Sequence, residues 1–274
     1  MRGPAAANTP LLYAESPDGV LIAYRIHGGD ALDASDAADA ATPVLLVHGF
    51  ASNAAVTWEG TGWVKALRDS GRAAITVDLR GHGDSDKPID GNSYAPDRLG
   101  ADLVAVLDSA GAAQADVIAY SMGNRVVSAL TELAPERVRR VVIGGAGPVE
   151  LFASWDLDEV RDVLLRDERA RNPLIERVLR PAIDAGADRE ALLACIEGVA
   201  GSPLAVPGDI PTLFVVGEDD PVPAGVQELA LDWDAELVTI PGRDHVSTLT
   251  ARAFKDAAIS FLAGAERAPK PAVG

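Results

Sequence analysis

The stretch Val117-Ile118-Ala119-Tyr120-Ser121-Met122-Gly123-Asn124 decides the fold. A short apolar run, 117–119, leads into a serine with small residues two positions before it (Ala119) and two after it (Gly123). A helical pattern, 122–133, begins at once. A nucleophilic serine on a strand-to-helix turn needs a strained backbone, and only small neighbours let the chain turn that sharply. The usual pattern is G-x-S-x-G, and Ala119 stands at its first glycine.

The same rhythm extends outward from this turn. Residues 44–47 (VLLV), 74–77 (AITV), 141–143 and 213–216 (LFVV) are short apolar runs without clean alternation. Such runs belong to strands covered on both faces, as in a parallel sheet. Helical patterns at 63–70, 96–110, 122–133, 222–233 and 246–263 lie between or after them. Strand–helix alternation predicts an α/β fold: a mostly parallel central sheet with helices on both faces. Residues 20–27 (VLIAYRIH) follow the turn signal Ser16-Pro17-Asp18-Gly19 and predict a strand, with residues 11–13 as its hairpin partner. Residues 148–208 hold no strand pattern but two or three short helices, at 157–171, 174–185 and 189–199. So long a helical stretch between two core strands reads as an inserted cap. The predicted division is a core of residues 1–147 and 209–274 with a helical cap at 148–208. Residues 28–42 and the tail 265–274 lack any core pattern and read as exposed chain.

Four places carry chemistry. Ser121 is the candidate nucleophile. His48-Gly49-Phe50 ends the first buried strand, where a backbone amide of the loop can join that of Met122 as a pair of donors for an oxyanion. His48 reads as a brace for that loop. Gly217-Glu218-Asp219-Asp220-Pro221 follows the strand at 213–216 and supplies a carboxylate, Asp220 first and Asp219 second. His245 sits between the strand at 237–240 and the last helix, and is one of four histidines. A neutral imidazole is the natural base for a serine. Serine, acid and histidine thus come in that chain order, with 99 positions from Ser121 to Asp220 and 25 from Asp220 to His245.

That order, with the turn at Ser121, resembles the α/β-hydrolase fold superfamily in its capped, esterase-like branch. The turn Asp78-Leu79-Arg80-Gly81-His82-Gly83-Asp84-Ser85 is similar to a structural turn of the same family, which makes His82 a turn residue. The resemblance runs from about residue 12 to residue 262. It implies that Ser121 is the nucleophile, His245 the general base and acid, and Asp220 the partner that orients it. Phe50 and Met122 would form the oxyanion hole. It implies acyl transfer to water through an acyl-enzyme; the acidic net charge makes small to medium neutral esters the simplest substrates expected. Carbon–carbon, lactone or amide hydrolysis, perhydrolysis, and ligand binding without turnover are the competing readings on the same residues. A serine at the turn speaks against the relatives that attack with an aspartate there. Trp58, Phe152 and Trp155 are candidates for the substrate wall, with Leu151, Leu164, Leu165, Ile175, Leu179 and Ile183 as further apolar cap residues.

Composition narrows the partners. Of 274 residues, 48% are apolar, enough for a sizeable core. The 24 basic and 41 acidic residues leave a net charge of −17, which disfavours nucleic acid, anionic lipid and polyanionic substrates. The partner expected is a small molecule, and the protein itself a monomer or homodimer. No dinucleotide, phosphate-loop or zinc-helix motif is present, so no cofactor and no metal are expected. The single cysteine, Cys195, allows no internal disulfide and reads as a small buried apolar residue. No run reaches the ~18 apolar residues of a membrane span, and the first ten residues lack the apolar core of a signal peptide, which predicts a cytoplasmic protein.

Overall fold

The computed structural model describes residues 9–29 and 42–264. Most of the chain expected to be exposed at 28–42, and all of the tail 265–274, lies outside the described residues.

The apolar runs become a single sheet. Its strands are β1 (Leu12–Glu15), β2 (Leu21–His27), β3 (Val44–Val47), β4 (Ala74–Val77), β5 (Ala115–Tyr120), β6 (Val138–Gly144), β7 (Thr212–Gly217) and β8 (Glu236–Ile240). They lie in the order β1-β2-β4-β3-β5-β6-β7-β8. The hairpin β1–β2 and the pair β2–β4 are antiparallel, and every other pair is parallel. Strand β3 explains why its sequence does not alternate. Leu45 and Val47 enter one buried cluster, Val44 and Leu46 the other, and all four are fully covered. Register does the rest: Val47 is level with Val77 on β4 and with Ala119 on β5. The carboxyl ends of the central strands therefore finish together, and the loops that leave them share one edge. In open parallel sheets that edge is where ligands bind.

The helices are α1 (Trp63–Asp69), α2 (Pro96–Ser109), α3 (Gly123–Leu133), α4 (Leu157–Arg166), α5 (Pro173–Asp184), α6 (Arg189–Val199), α7 (Val226–Asp232), α8 (His245–Thr250) and α9 (Arg252–Leu262). Trp63 and Leu67 of α1 and Phe254 and Ala258 of α9 share one cluster. Leu99 and Leu103 of α2, Val126 and Leu130 of α3, and the buried residues of α4–α6 share the other. Helices α4–α6 form the expected helical stretch between β6 and β7. Their N-caps are Asp156, Asn172 and Asp188, each accepting from a backbone amide of its own first turn. Among the described residues no helix is long and apolar enough to cross a membrane.

Three boundaries differ from the sequence reading. The stretch 222–233 is helical only from Val226, because Pro221 and Pro223 hold it open and Gly225 turns at a φ of 83°. The stretch 246–263 is two helices, broken at Ala251, whose ψ of 134° is extended. Trp63 Nε1 donates to Leu249 O at 2.9 Å and takes a carbonyl from the end of α8. Helix α4 stops at Arg166 because Asp167 is left-handed, with a φ of 60°.

Candidate active site

Ser121 stands between β5 and α3 with a φ of 53°, a left-handed value that costs a non-glycine residue about 1–3 kcal/mol. Its surroundings enforce the turn. Ser121 N donates to Gly144 O at 2.9 Å, and Asn124 Nδ2 donates to Ser121 O (2.9 Å) and Gly144 O (3.0 Å). The small neighbours are needed for contact. A Cβ on Gly123 would lie 2.4 Å from His48 O, and one on Gly49 would lie 3.0 Å from Ser121 Cβ. The 48–50 loop thus rests directly on the serine.

The three residues singled out in the sequence meet in one row. His245 Nδ1 lies 2.8 Å from Asp220 Oδ2, and His245 Nε2 lies 3.1 Å from Ser121 Oγ. A carboxylate only accepts, so Nδ1 carries the ring proton and Nε2 is left to accept from the serine hydroxyl. The Asp220 side chain is fully buried, and its Oδ1 accepts from Val222 N at 2.9 Å. Asp219, the second choice, is exposed, and it touches the histidine loop only through its amide, which donates to Arg243 O at 3.0 Å. Asp244 caps α8 in a reciprocal box with Ser247, which fixes the turn that presents His245. The arrangement can take a proton from a hydroxyl and hold the resulting imidazolium against a carboxylate.

The amides of Phe50 and Met122, the expected pair of donors, have no acceptor among the described residues. His48 and His82 buttress the loop that carries the first of them. His48 Nδ1 donates to Gly49 O (2.7 Å) while its Nε2 accepts from Leu79 N (3.0 Å). His82 Nδ1 donates to Arg80 O (3.0 Å) while its Nε2 accepts from Ala51 N (3.1 Å). Burial pushes both far below the ordinary histidine range, to about 4 for His48 and about 3 for His82. With every ring nitrogen occupied, neither can be the base. In the same turn, Arg80 grips Asp102 through two bonds of 2.6 Å and Asp18 through two of 2.9 and 3.3 Å.

The substrate-wall candidates divide. Phe152 packs on Phe50 and on Trp155, each at a centroid distance of 4.9 Å, so these three form one aromatic group beside the Phe50 loop. Trp58 does not join it. It is fully buried in the cluster on the other side of the sheet, edge-on to Trp63 at 5.7 Å, because residues 55–59 coil into a π-helical turn that carries it inward. Leu164, Ile175, Leu179 and Ile183 are buried, Leu151 is half-buried, and Leu165 points outward at 50% exposure. Cys195 is completely buried with its Sγ 3.7 Å from Met122 Sδ, and burial raises its thiol pKa.

Residues with no motif of their own complete the surroundings. Glu150 accepts from Phe152 N (2.8 Å), Ala153 N (2.8 Å) and Gly201 N (3.1 Å), so one carboxylate ties the start of the helical stretch to its end. Arg125, one turn past Ser121, donates to Gly147 O at 2.7 Å. A cavity of about 470 Å³ opens between Ile210, Trp233 and Phe261. It lies at the amino-terminal ends of β7 and β8, away from the row of Ser121, His245 and Asp220, and its lining holds neither a serine nor a histidine.

Comparison with known proteins agrees with this fold. A sequence profile of the alpha/beta hydrolase fold matches residues 42–188. A Bacillus subtilis protein provisionally named 2-succinyl-6-hydroxy-2,4-cyclohexadiene-1-carboxylate synthase is 30% identical over 152 residues, 56% of this chain and 51% of that protein. The 2-hydroxymuconate semialdehyde hydrolase of Pseudomonas putida is 35% identical over 104 residues, 38% of this chain and 36% of that protein. The chain thus spans about half, or less, of the length of these curated relatives. The crystal structure of a hydrolase from Pseudomonas aeruginosa superposes with a TM-score of 0.72 at 26% identity, covering 94% of this chain and 99% of that one.

Proposed function

The chain belongs to the alpha/beta hydrolase fold family, and from that premise we propose that it is a serine hydrolase acting through an acyl-enzyme, with small to medium neutral carboxylic esters as substrates. The observation that carries the reading is the continuous row Asp220–His245–Ser121, bonded at 2.8 and 3.1 Å and set beside two amides without acceptors. In this reading Ser121 Oγ attacks the ester carbonyl as its proton passes to His245 Nε2. Asp220 stabilises the imidazolium, and the Phe50 and Met122 amides bind the oxyanion. The imidazolium then protonates the leaving alcohol, and water cleaves the acyl-enzyme by the same route in reverse. Helices α4–α6 act as the cap, and Phe50, Phe152 and Trp155 wall the acyl pocket. The net charge of −17 favours a neutral ester over a polyanion.

Initial rates on aryl esters with acyl chains of about 2 to 16 carbons, for wild type and Ser121→Ala, test the proposal. Wild-type turnover that disappears in the variant, with an unchanged circular dichroism spectrum, is the expected result. Turnover that survives the substitution removes Ser121 from the mechanism. The similarity to the Pseudomonas putida enzyme adds one arm, 2-hydroxymuconate semialdehyde. A preference for it over every ester would replace the ester reading while leaving the serine in place.

A further inference from the structure

We propose that Tyr120, the residue immediately before the nucleophile, is a positioning residue that sets the height of His245 over Ser121. The inference rests on the serine hydrolase reading above and adds a part that no sequence motif marks.

Tyr120 is the last residue of β5 and is 4% exposed. Its hydroxyl donates to the backbone carbonyl of His245. Its ring lies under the imidazole, with centroids 5.2 Å apart and a tilt of 44°. Two glycines leave room for this. A Cβ on Gly144 would lie 2.6 Å from the Tyr120 ring and 2.7 Å from Phe254, and a Cβ on Gly145 would lie 2.9 Å from the Tyr120 hydroxyl and 3.1 Å from His245 Cε1. The phenol is therefore wedged between β6 and the histidine turn. Burial, with the Asp220 charge nearby, raises its pKa, so it keeps its proton and remains a donor.

The other restraints on His245 come from elsewhere. Asp220 holds the ring from the loop after β7, and the amides of Glu218 and Asp219 donate to Ile240 O at the end of β8 and to Arg243 O of the histidine loop. Among these ties, only Tyr120 joins the base to the strand that carries the nucleophile. Ser121 and Tyr120 are covalent neighbours, so a shift of β5 moves the serine and the support of the histidine together. The Ser121 Oγ to His245 Nε2 distance of 3.1 Å is thereby held by one short span of chain. Proton transfer depends steeply on that distance, and misplacement by about 1 Å can cost ~10²-fold in rate.

Tyr120→Phe deletes the donor and keeps the ring. Trp63→Phe removes a neighbouring tie, the 2.9 Å bond from Trp63 Nε1 to Leu249 O, and so loosens α8 while leaving the His245 carbonyl held. Wild type, both variants and Ser121→Ala would be assayed on 4-nitrophenyl butyrate, with labelling of Ser121 by a fluorophosphonate and a thermal melt for each protein, at a temperature where each is folded. The expected result for Tyr120→Phe is a kcat lowered by tenfold or more, KM within twofold, and labelling slowed in step. Trp63→Phe should keep kcat within about threefold of wild type. A Tyr120→Phe enzyme with kcat within twofold of wild type overturns the proposal, as does an equal loss in Trp63→Phe. Turnover that persists in Ser121→Ala overturns the serine reading instead, and the role of Tyr120 with it.

Discussion

At the scale of the residue, Ser121 trades stability for exposure. Its φ of 53° is kept by Asn124 and by the contact of Gly49 and Gly123 with their neighbours. Glycine adopts this backbone without strain, so Ser121→Gly should abolish ester turnover and raise stability by about 1 kcal/mol, read as a higher melting temperature. A lower melting temperature would mean that the turn is not strained. The histidines divide by the same kind of reasoning. His48 and His82 have both nitrogens engaged and are buried, whereas His245 has a carboxylate on one side and a hydroxyl on the other.

At the scale of the element, helices α4–α6 pack onto the core through a shared buried cluster. Glu150 joins their two ends, and Phe152 and Trp155 reach Phe50. Phe152 is 3% exposed and fills the space beside the Phe50 loop. Phe152→Leu should cost about 1–2 kcal/mol and lengthen the preferred acyl chain by about two carbons, measured on the aryl ester series. An unchanged length optimum would take Phe152 out of the pocket wall. Cys195 of α6 lies against Met122 without any exposed surface. A thiol reagent should therefore leave ester turnover intact and react fully only after denaturation. Rapid inactivation of the folded protein would place the thiol within reach of the site.

At the scale of the molecule, pH should act on stability through the buried histidines. Burial depresses His48 to about 4 and His82 to about 3, and His27 is held near 4 by burial and the charges of Arg25 and Arg68. In the unfolded chain each titrates near ~6.5. Below that pH the unfolded chain takes up protons that the folded protein refuses, so the stabilising contribution is complete above about 6.5. It declines as the pH falls and is gone below the folded values. Each of the two fully buried histidines, His48 and His82, should lose about 3 kcal/mol between pH 7 and pH 4. Melting temperatures should drop steeply over that range, and less steeply in His82→Gln, which keeps an acceptor for the Ala51 amide. Identical slopes for the two proteins would show that His82 takes up its proton as readily in the folded protein as in the unfolded chain. Arg80, buried between Asp102 and Asp18, faces no such change, because those contacts outweigh burial and raise its pKa further.

The sequence by itself determined the α/β architecture and the serine and histidine of the row. Non-alternating apolar runs such as VLLV at 44–47 fit strands covered on both faces, and small residues around Ser121 fit a turn that no larger side chain permits. The chain order of Ser121, Asp220 and His245 was legible because each sits at the carboxyl end of a strand pattern. Tertiary structure alone decided the rest. Whether Asp219 or Asp220 faces the histidine depends on how the loop after β7 turns, and adjacent carboxylates look alike in sequence. Trp58 and Phe152 are equally apolar, yet a π-helical turn sends one into the core and a contact between distant segments sets the other beside Phe50. Tyr120 reaches His245 across 125 positions, and Glu150 reaches Gly201 across 51. Periodicity records which side of an element is buried. Which distant atom a buried donor meets is fixed only when the elements pack.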